Sequence, residues 1–261
     1  MSVNADKIIE QYDLKKEDGR NSLSRSAGLE FYYTKKHLQG LIKKSDRILE
    51  IGCATGYYGF YYADKCREYL GIDIVPAHIQ RFQQRIAERR LQNVSCRLGD
   101  ATALQDIEDG SFDIVLCLGP MYHLPPAGRE LAFAECARVC RKGGIAAFAY
   151  INKIGVYAGA CILDSRYPTE LANRCVLENG TDDIRPDIFF YTTPEQMNAQ
   201  AQGCGFHKIK NLGTDFFLLM DVVNGMDDAR FETLRPLYDQ MAGSESCTGL
   251  SNHALLVCRK E

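Results

Sequence analysis

The stretch Arg47–Gly59 constrains the fold of this chain more than any other stretch. It reads R-I-L-E-I-G-C-A-T-G-Y-Y-G, with an apolar run around Glu50, a turn of small residues at 52–56, and a predicted helix at Tyr57–Arg67. A buried strand that passes through a small-residue turn directly into a helix is typical of the first corner of a doubly wound α/β fold. Small residues there let the backbone approach a ligand closely, and the N–H groups at the start of the helix can meet its polar end.

Strands and helices alternate along most of the remaining chain. Further strands are predicted at Tyr69–Ile74, Val94–Leu98, Phe112–Leu118, Ile145–Ile151, Gly205–Leu212 and His253–Arg259. Helices are predicted over 4–17, 25–44, 76–91, 127–141 and 227–241, and a further helix begins at Thr193-Pro194-Glu195-Gln196, a typical capping box. Gly143 and Gly144 predict a left-handed cap at the end of the helix over 127–141. The alternation favours a mostly parallel sheet with right-handed crossovers.

Composition limits the kind of protein and the kind of partner. The chain has 261 residues and a net charge of −3, so no overall basic surface indicates nucleic acid. Arg81, Arg85 and Arg89 share one face of the helix over 76–91, which is more typical of a solvated face than of a phosphate site. No run reaches the roughly 18 apolar residues of a membrane span. We expect no membrane association.

The cysteines point to thiols rather than to disulfides or metal ligands. There are 11 of them, an odd number, and none forms a C-x-x-C pair. Cys136 and Cys140 lie one helical turn apart, but no Cys or His follows at the spacing of a zinc site. We therefore expect buried free thiols in a reducing cytoplasm and no bound metal.

The sequence of the turn at 52–56 distinguishes between the classes of nucleotide-type cofactor that such a corner can bind. A dinucleotide fingerprint, G-x-G-x-x-G, would place Ala54 and Tyr57 at its second and third glycines, and a tyrosine fits poorly where a helix must pack closely on a strand. No Gly-Lys-Ser/Thr follows, so the turn is not a phosphate-binding Walker loop. The pattern that is present is G-x-A-x-G.

This pattern resembles that of the class I S-adenosylmethionine-dependent methyltransferases. E-I-G-C-A-T-G is similar to the family's E/D-x-G-x-G-x-G, with Ala54 in place of the middle glycine. The resemblance implies a Rossmann-like, seven-stranded, mostly parallel sheet of order 3-2-1-4-5-7-6, with the last strand antiparallel and helical cap insertions. It also implies S-adenosylmethionine as cofactor and S-adenosylhomocysteine as product.

The same resemblance assigns cofactor-binding residues by position. Asp73, at the end of the second strand, would accept the ribose hydroxyls, and Asp100 would accept from the adenine amino group between Ile74 and Ala101. Taken alone, Asp73 can simply end a strand, Asp100 can be a turn residue, and Glu50 can be a buried polar group in a capping bond. The implied set is Glu50, Gly52, Cys53, Ala54, Gly56, Asp73, Ile74, Asp100, Ala101 and Leu118.

The loop at 118–124 follows the fourth predicted strand, where this family places the reactive end of the cofactor. It reads L-G-P-M-Y-H-L and resembles the L-G-P-L-Y-H-L of a subgroup of bacterial small-molecule methyltransferases. His123 is a candidate general base and Tyr122 a candidate to orient the acceptor. The alternative is that both residues pack at the start of the next helix. The loop lacks the Asn/Asp-Pro-Pro-Tyr/Phe of adenine amino-methyltransferases and the Pro-Cys of cytosine C5 enzymes.

Aromatic residues outside the core predict an enclosed apolar pocket. We expect an N-terminal helical lid at 1–45, a cofactor-binding core at 46–151, a cap insertion at 152–191, and the rest of the core at 192–261 with an insertion at 213–245. Tyr33 and Thr34 would close over the cofactor. The pocket aromatics would be Tyr32, Tyr33, Tyr157, Phe189, Phe190, Phe216 and Phe217.

Together these features predict methyl transfer to a small organic acceptor. The nucleophile would be N, O or S, and the reaction an in-line displacement by a cytoplasmic monomer or homodimer. Two alternatives remain open at this point. One is a methyltransferase acting on RNA or protein, and the other is a cofactor-binding regulator without catalysis.

Overall fold

We describe a computed structural model of the chain, which covers residues 5–12, 17–181 and 188–261. Part of the helix predicted over 4–17, and part of the cap insertion predicted at 152–191, therefore lie outside the described residues. None of the described helices is both long enough and apolar enough to pass through a bilayer.

One seven-stranded sheet organises the molecule. Its order is β3-β2-β1-β4-β5-β7-β6, and β7 runs antiparallel to both of its neighbours while the other pairs are parallel. This confirms the predicted Rossmann-like α/β fold and its strand order. The strands are β1 Arg47–Ile51, β2 Glu68–Asp73, β3 Val94–Leu98, β4 Phe112–Cys117, β5 Cys140–Ile151, β6 Phe206–Gly213 and β7 His253–Lys260.

The central strands are apolar because helices cover both faces of the sheet. Ile48, Leu49 and Ile51 in β1 are almost completely buried. Ile51 is in register with Ile72 of β2 and with Cys117 of β4, so these three parallel strands end together. Their carboxyl ends form the edge at which ligands bind in open α/β sheets.

Most of the described helices at predicted positions are shorter than predicted. The described helices are α1 Ala5–Gln11, α2 Arg25–Leu38, α3 Tyr57–Tyr62, α4 Pro76–Glu88, α5 Pro126–Val139, α6 Lys153–Leu163, α7 Leu171–Asn179, α8 Pro194–Gly203, α9 Met220–Asn224 and α10 Asp228–Ala242. Of these, α6, α7 and α9 were not predicted. The capping box at α8 is confirmed, since the Gln196 N–H donates to Thr193 Oγ1 and the Thr193 N–H donates to Gln196 Oε1.

The predicted glycine cap after α5 is wrong. The helix ends at Val139, and Cys140 is already extended and pairs with Phe112 of β4. Gly143 does have a positive φ of 73°, but it lies inside the range of β5. The chain passes from helix to strand without a left-handed residue because strand pairing satisfies the backbone there.

The arginine face of α4 holds the N-terminal part of the chain. The carboxylate of Asp18 lies 3.3 Å from Arg81 Nε and 2.7 Å from Arg85 Nη1. The Arg89 guanidinium lies over the Phe60 ring, 4.0 Å from its centre. Arg81 and Arg85 are thus partly exposed residues that bind a carboxylate of the chain itself.

We expect Phe82→Ala to test how α4 packs on the first corner. Phe82 is fully buried, and its ring fills the space that a Cβ at Gly56 or Gly59 would occupy. Truncation should lower the free energy of unfolding by about 3–5 kcal/mol. Urea denaturation measures the change, and Leu131→Ala, at a position 57% exposed, is the matched control. Equal losses in the two variants would contradict the packing described here.

Candidate functional site

A large cavity opens at the carboxyl edge of the sheet. It contains about 1210 Å³ of space between atoms, including its mouth. Its floor consists of the loops that follow β1, β2, β3 and β4, and residues of the N-terminal segment cover it. Nine of the ten predicted cofactor residues line it, namely Glu50, Gly52, Cys53, Ala54, Asp73, Ile74, Asp100, Ala101 and Leu118. Tyr122 and His123 line it as well.

Gly56 is the predicted cofactor residue that does not line the cavity. Its φ is +90°, and a Cβ there would stand 2.2 Å from Phe82 Cε2. Glycine is required at this position because a side chain would clash with Phe82 and because the left-handed backbone is strained for other residues. The position is explained by the contact between α3 and α4.

The turn after β1 is shaped by a close approach of two loops. Gly52 has a φ of +79°, and a Cβ there would lie 2.7 Å from Pro120 Cδ in the loop after β4. Ala54 has a φ of +43°, a left-handed conformation that costs roughly 1 kcal/mol for a residue with a side chain. This explains why the family pattern has glycine where this chain has Ala54.

The Asp73 carboxylate fixes this turn. Its Oδ2 accepts the Ala54 N–H at 2.8 Å, and its Oδ1 accepts the Val75 N–H at 2.9 Å. His78 Nδ1 lies 3.4 Å from Oδ1. A carboxylate has about four lone-pair directions, so Asp73 keeps capacity for hydroxyl donors in the cavity.

Glu50 and Asp100 are partnered in different ways. Glu50 is buried and accepts a hydrogen bond from the Tyr69 hydroxyl. Burial, and then the nearby charge of Asp73, raise the pKa of Glu50 well above its usual range. Asp100 Oδ1 accepts from the backbone N–H and the hydroxyl of Thr102, the turn arrangement that was the alternative reading of this residue.

His123 is held between two oxygen atoms. Its Nδ1 lies 2.7 Å from the carbonyl oxygen of Ile188, which can only accept, so Nδ1 carries the proton. Nε2 of the neutral ring then accepts from the Tyr12 hydroxyl at 2.9 Å. Burial lowers the pKa of His123 to about 4. Burial also raises the pKa of the neighbouring Tyr122.

The predicted aromatic pocket is wrong in its composition. Tyr33 is fully buried in a separate cluster with Phe216 and Tyr238, and its hydroxyl donates to Asp239 at 2.8 Å, so it does not close over the cavity. Thr34 does line the cavity. No described residue of 152–191 or 213–245 lines it, and its aromatics are Tyr12, Phe31, Tyr57, Tyr58 and Tyr122.

Charged residues that were not predicted also line the cavity. Arg20 Nη1 lies 3.2 Å from Glu30 Oε2, and Arg20 Nε lies 3.6 Å from Glu17. The charge of Glu30 outweighs burial and raises the pKa of Arg20 further. Arg20 falls in the turn at 18–22, and nothing in its sequence context placed it at the carboxyl edge. The cavity is therefore polar on the side of the N-terminal segment.

A histidine and an aspartate stand next to this charged group. His253 begins β7, and Asp215 follows the end of β6, which brings both to the carboxyl edge of the sheet. His253 Nδ1 lies 3.0 Å from Asp215 Oδ2 and 4.0 Å from Glu30 Oε2. The predicted topology could have indicated this proximity, because an antiparallel β7 must begin at the edge where the parallel strands end.

Comparison with known proteins agrees with the geometry of the first corner. Residues 48–144 match the family described as "Methyltransferase domain". The match covers 97 of the 261 residues, so this part of the chain is similar to a methyltransferase domain. The match begins with β1 and ends inside β5, so it contains the turn at 52–56, Asp73, Asp100 and the loop with Tyr122 and His123.

Proteins similar to this chain include enzymes of small-molecule biosynthesis. A ubiquinone biosynthesis O-methyltransferase of Alkalilimnicola ehrlichii is 31% identical over 159 residues, which are 59% of this chain and 60% of that protein. The aklanonic acid methyltransferase DauC of a Streptomyces species is 27% identical over 63% of this chain and 76% of its own length. The chain thus spans about 60% of the length of the first of these relatives.

Solved structures share the fold of this chain. An S-adenosylmethionine-dependent methyltransferase from Methanosarcina mazei superposes with a TM-score of 0.59 at 15% identity, over 86% of this chain and 96% of that one. At this identity the likeness concerns the fold alone.

The cavity residues fit S-adenosylmethionine by their chemistry. The cofactor offers N–H and O–H donors and a sulfonium cation, and the carboxylates of Asp73 and Asp100 and the carboxyl group of Glu50 line the cavity. A glycine at 52 leaves room for close backbone approach. A donor-rich cation beside acceptor-rich walls is electrostatically favourable.

We expect Asp73→Asn to weaken cofactor binding. The amide keeps one oxygen acceptor and loses the charge, so it cannot serve both the Ala54 and Val75 N–H groups and a ligand hydroxyl. Loss of a hydrogen bond to a charged group corresponds to about 1.5–3 kcal/mol, or a rise of at least about tenfold in Kd. Calorimetric titration with S-adenosylhomocysteine measures it. Asp106→Asn, on the surface, should bind like the wild type, and an unchanged Kd for Asp73→Asn would contradict the assigned role.

Proposed function

We propose that the protein transfers the methyl group of S-adenosylmethionine to a nucleophilic atom of a small organic acceptor. The observation that carries this proposal is that one cavity joins the turn at 52–56, Asp73 and Asp100 to the loop with Tyr122 and His123.

In such a reaction the protein mainly positions the acceptor relative to the methyl group. When bound, the cofactor supplies a methyl group already activated by the positive sulfur. The protein has to hold the acceptor atom about 3 Å from the methyl carbon and in line with the carbon–sulfur bond. The close contact between Gly52 and Pro120 sets the spacing of the two loops that would do this.

Oxygen is the acceptor atom that we propose. Similar proteins include O-methyltransferases, and the cavity offers Phe31, Tyr57 and Tyr58 as apolar walls beside the charged group of Arg20. This surface suits a small hydroxylated aromatic compound. An RNA or protein substrate is less well supported, because the N-terminal segment covers the cavity and the net charge is −3.

We further propose that the segment 1–45 acts as a lid. Ile8, Tyr12, Glu17 and Arg20 line the cavity from this segment, and the Tyr12 hydroxyl contacts His123. A cover of this kind excludes water and confines the acceptor.

The test is methyl transfer to defined compounds. The protein is incubated with methyl-labelled S-adenosylmethionine and separately with a catechol, a simple phenol, an aromatic thiol, an amine, tRNA and a histone. We expect label in the catechol or the phenol and none in the macromolecules. Tight cofactor binding without label in any acceptor would favour a regulatory role, and label in tRNA or histone would contradict the small-molecule proposal.

His123→Gln tests the role predicted for His123. If His123 accepts the acceptor proton, kcat should fall about 10²–10⁴-fold. Because its Nδ1 is bound to Ile188 and its pKa is lowered to about 4, we expect instead a higher KM for the acceptor with little change in kcat. Steady-state kinetics separate the two results, and a large loss of kcat alone would restore His123 as the base.

A further inference from the structure

The pair formed by His253 and Asp215 has the geometry of an oriented base. Asp215 Oδ1 accepts the backbone N–H of His253 at 2.6 Å, and both of its oxygens lie within 3.2 Å of His253 Nδ1. Asn252 Nδ2 donates to Oδ2 at 3.3 Å. A carboxylate bound to Nδ1 fixes the tautomer and the orientation of an imidazole and leaves Nε2 to act on a substrate.

His253 lies beside two residues that line the cavity, although it is not itself one of the lining residues. About 15% of the His253 side chain is exposed, and its Nε2 makes no hydrogen bond to any residue in the described part of the chain. The ring centre lies 5.9 Å from that of Tyr122, and Nδ1 lies 4.0 Å from Glu30 Oε2. Both Tyr122 and Glu30 line the cavity.

The groups around His253 favour a proton rather than a metal ion. Ligand atoms of Glu30, Asp215 and His253 lie within 4.8 Å of one another, a spacing that a divalent cation could also use. The Arg20 guanidinium, however, lies 3.2 Å from Glu30 and would repel a second cation. Nδ1, the nitrogen that faces both carboxylates, is already engaged by Asp215.

We propose that His253, oriented by Asp215, is the general base that removes the proton from a hydroxyl acceptor. This inference rests on the proposed methyl transfer. The acceptor O–H gives its proton to Nε2, directly or across one water. The acceptor oxygen forms a bond to the methyl carbon as the carbon–sulfur bond breaks and its electron pair stays on sulfur. The imidazolium then returns its proton to solvent.

The charges that face His253 make it a stronger base than His123. Burial lowers the pKa of His253, but the charges of Glu30 and Asp215 and the hydrogen bond to Asp215 outweigh burial and the opposing charge of Arg20, and they raise the pKa to about 9. His253 in turn holds the pKa of Asp215 below its usual range against the effect of burial. At neutral pH a group with this pKa is mostly protonated, so His253 would act through its neutral fraction, which grows as the pH rises towards 9, and kcat on phenol should rise over the same range.

The first test measures the base without a methyl acceptor. The imidazole signals of the five histidines are followed by NMR against pH, with His253→Gln used for assignment. We expect the pKa of His253 to lie well above the ordinary value of about 6.5, and to fall in Asp215→Asn. A pKa at or below the ordinary value in the wild-type protein would overturn the inference, even if Asp215→Asn does not fold.

The second test uses two phenols that differ in acidity. Phenol needs a base to lose its proton, whereas 4-nitrophenol is largely ionised in mildly alkaline buffer. We expect His253→Gln to lower kcat on phenol about 10²–10⁴-fold and to spare 4-nitrophenol, with the Kd for S-adenosylhomocysteine unchanged. His207→Gln, on the exposed surface of β6, is the matched control. Equal losses on both phenols would indicate a structural role and overturn the inference.

The outcomes also separate the inference from the proposed function. Wild-type protein that binds the cofactor but methylates none of the acceptors named above would refute the proposed function, and the base assignment with it. Methyl transfer to phenol that His253→Gln retains at the wild-type kcat would refute the base assignment alone. Stoichiometric binding of Zn²⁺ or Mg²⁺ that is lost in His253→Gln would also overturn it in favour of a metal site.

Discussion

The carboxylate of Asp73 is the interaction on which the cavity depends. An ionised group with so little exposure needs hydrogen-bond donors, and two backbone N–H groups supply them. One belongs to Ala54 in the turn after β1, and the other to Val75 at the start of α4. The same bond compensates the left-handed backbone of Ala54. With that turn fixed, Gly52 can meet Pro120, and the loops after three strands acquire a single arrangement.

The sequence predicted the fold and the cofactor corner well, because both depend on local patterns. Buried strands are continuous apolar runs, and Tyr57 excluded a dinucleotide fingerprint by its size alone. Boundaries were less predictable: Gly143 looked like a helix cap, yet pairing with β4 had already started the strand at Cys140. The prediction of the aromatic residues that line the cavity was wrong for a different reason. An apolar side chain such as Tyr33 can join any of several clusters, and only the packing with Tyr238 decides which.

The two histidines beside Tyr122 show how the hydrogen-bond partner of an imidazole sets its basicity. His123 stands next to the family's reactive loop, and its partner on Nδ1 is a neutral carbonyl group inside the protein. His253 lies far along the chain, but its partner is a carboxylate. The same side chain is therefore made a weaker base in one place and a stronger base in the other. Charged partners contributed by distant segments cannot be found from spacing around a motif.

The attachment of the N-terminal segment gives the two sides of the cavity different stabilities. The sheet side is held by strand pairing and a dry core, whereas the other side is joined to α4 through Asp18 and to the reactive loop through Tyr12. Partly exposed ion pairs contribute little and are screened by salt. This cover can therefore detach by a local opening that leaves the sheet intact. Hydrogen exchange and ligand exchange at the cavity would then respond to ionic strength, while global unfolding would not.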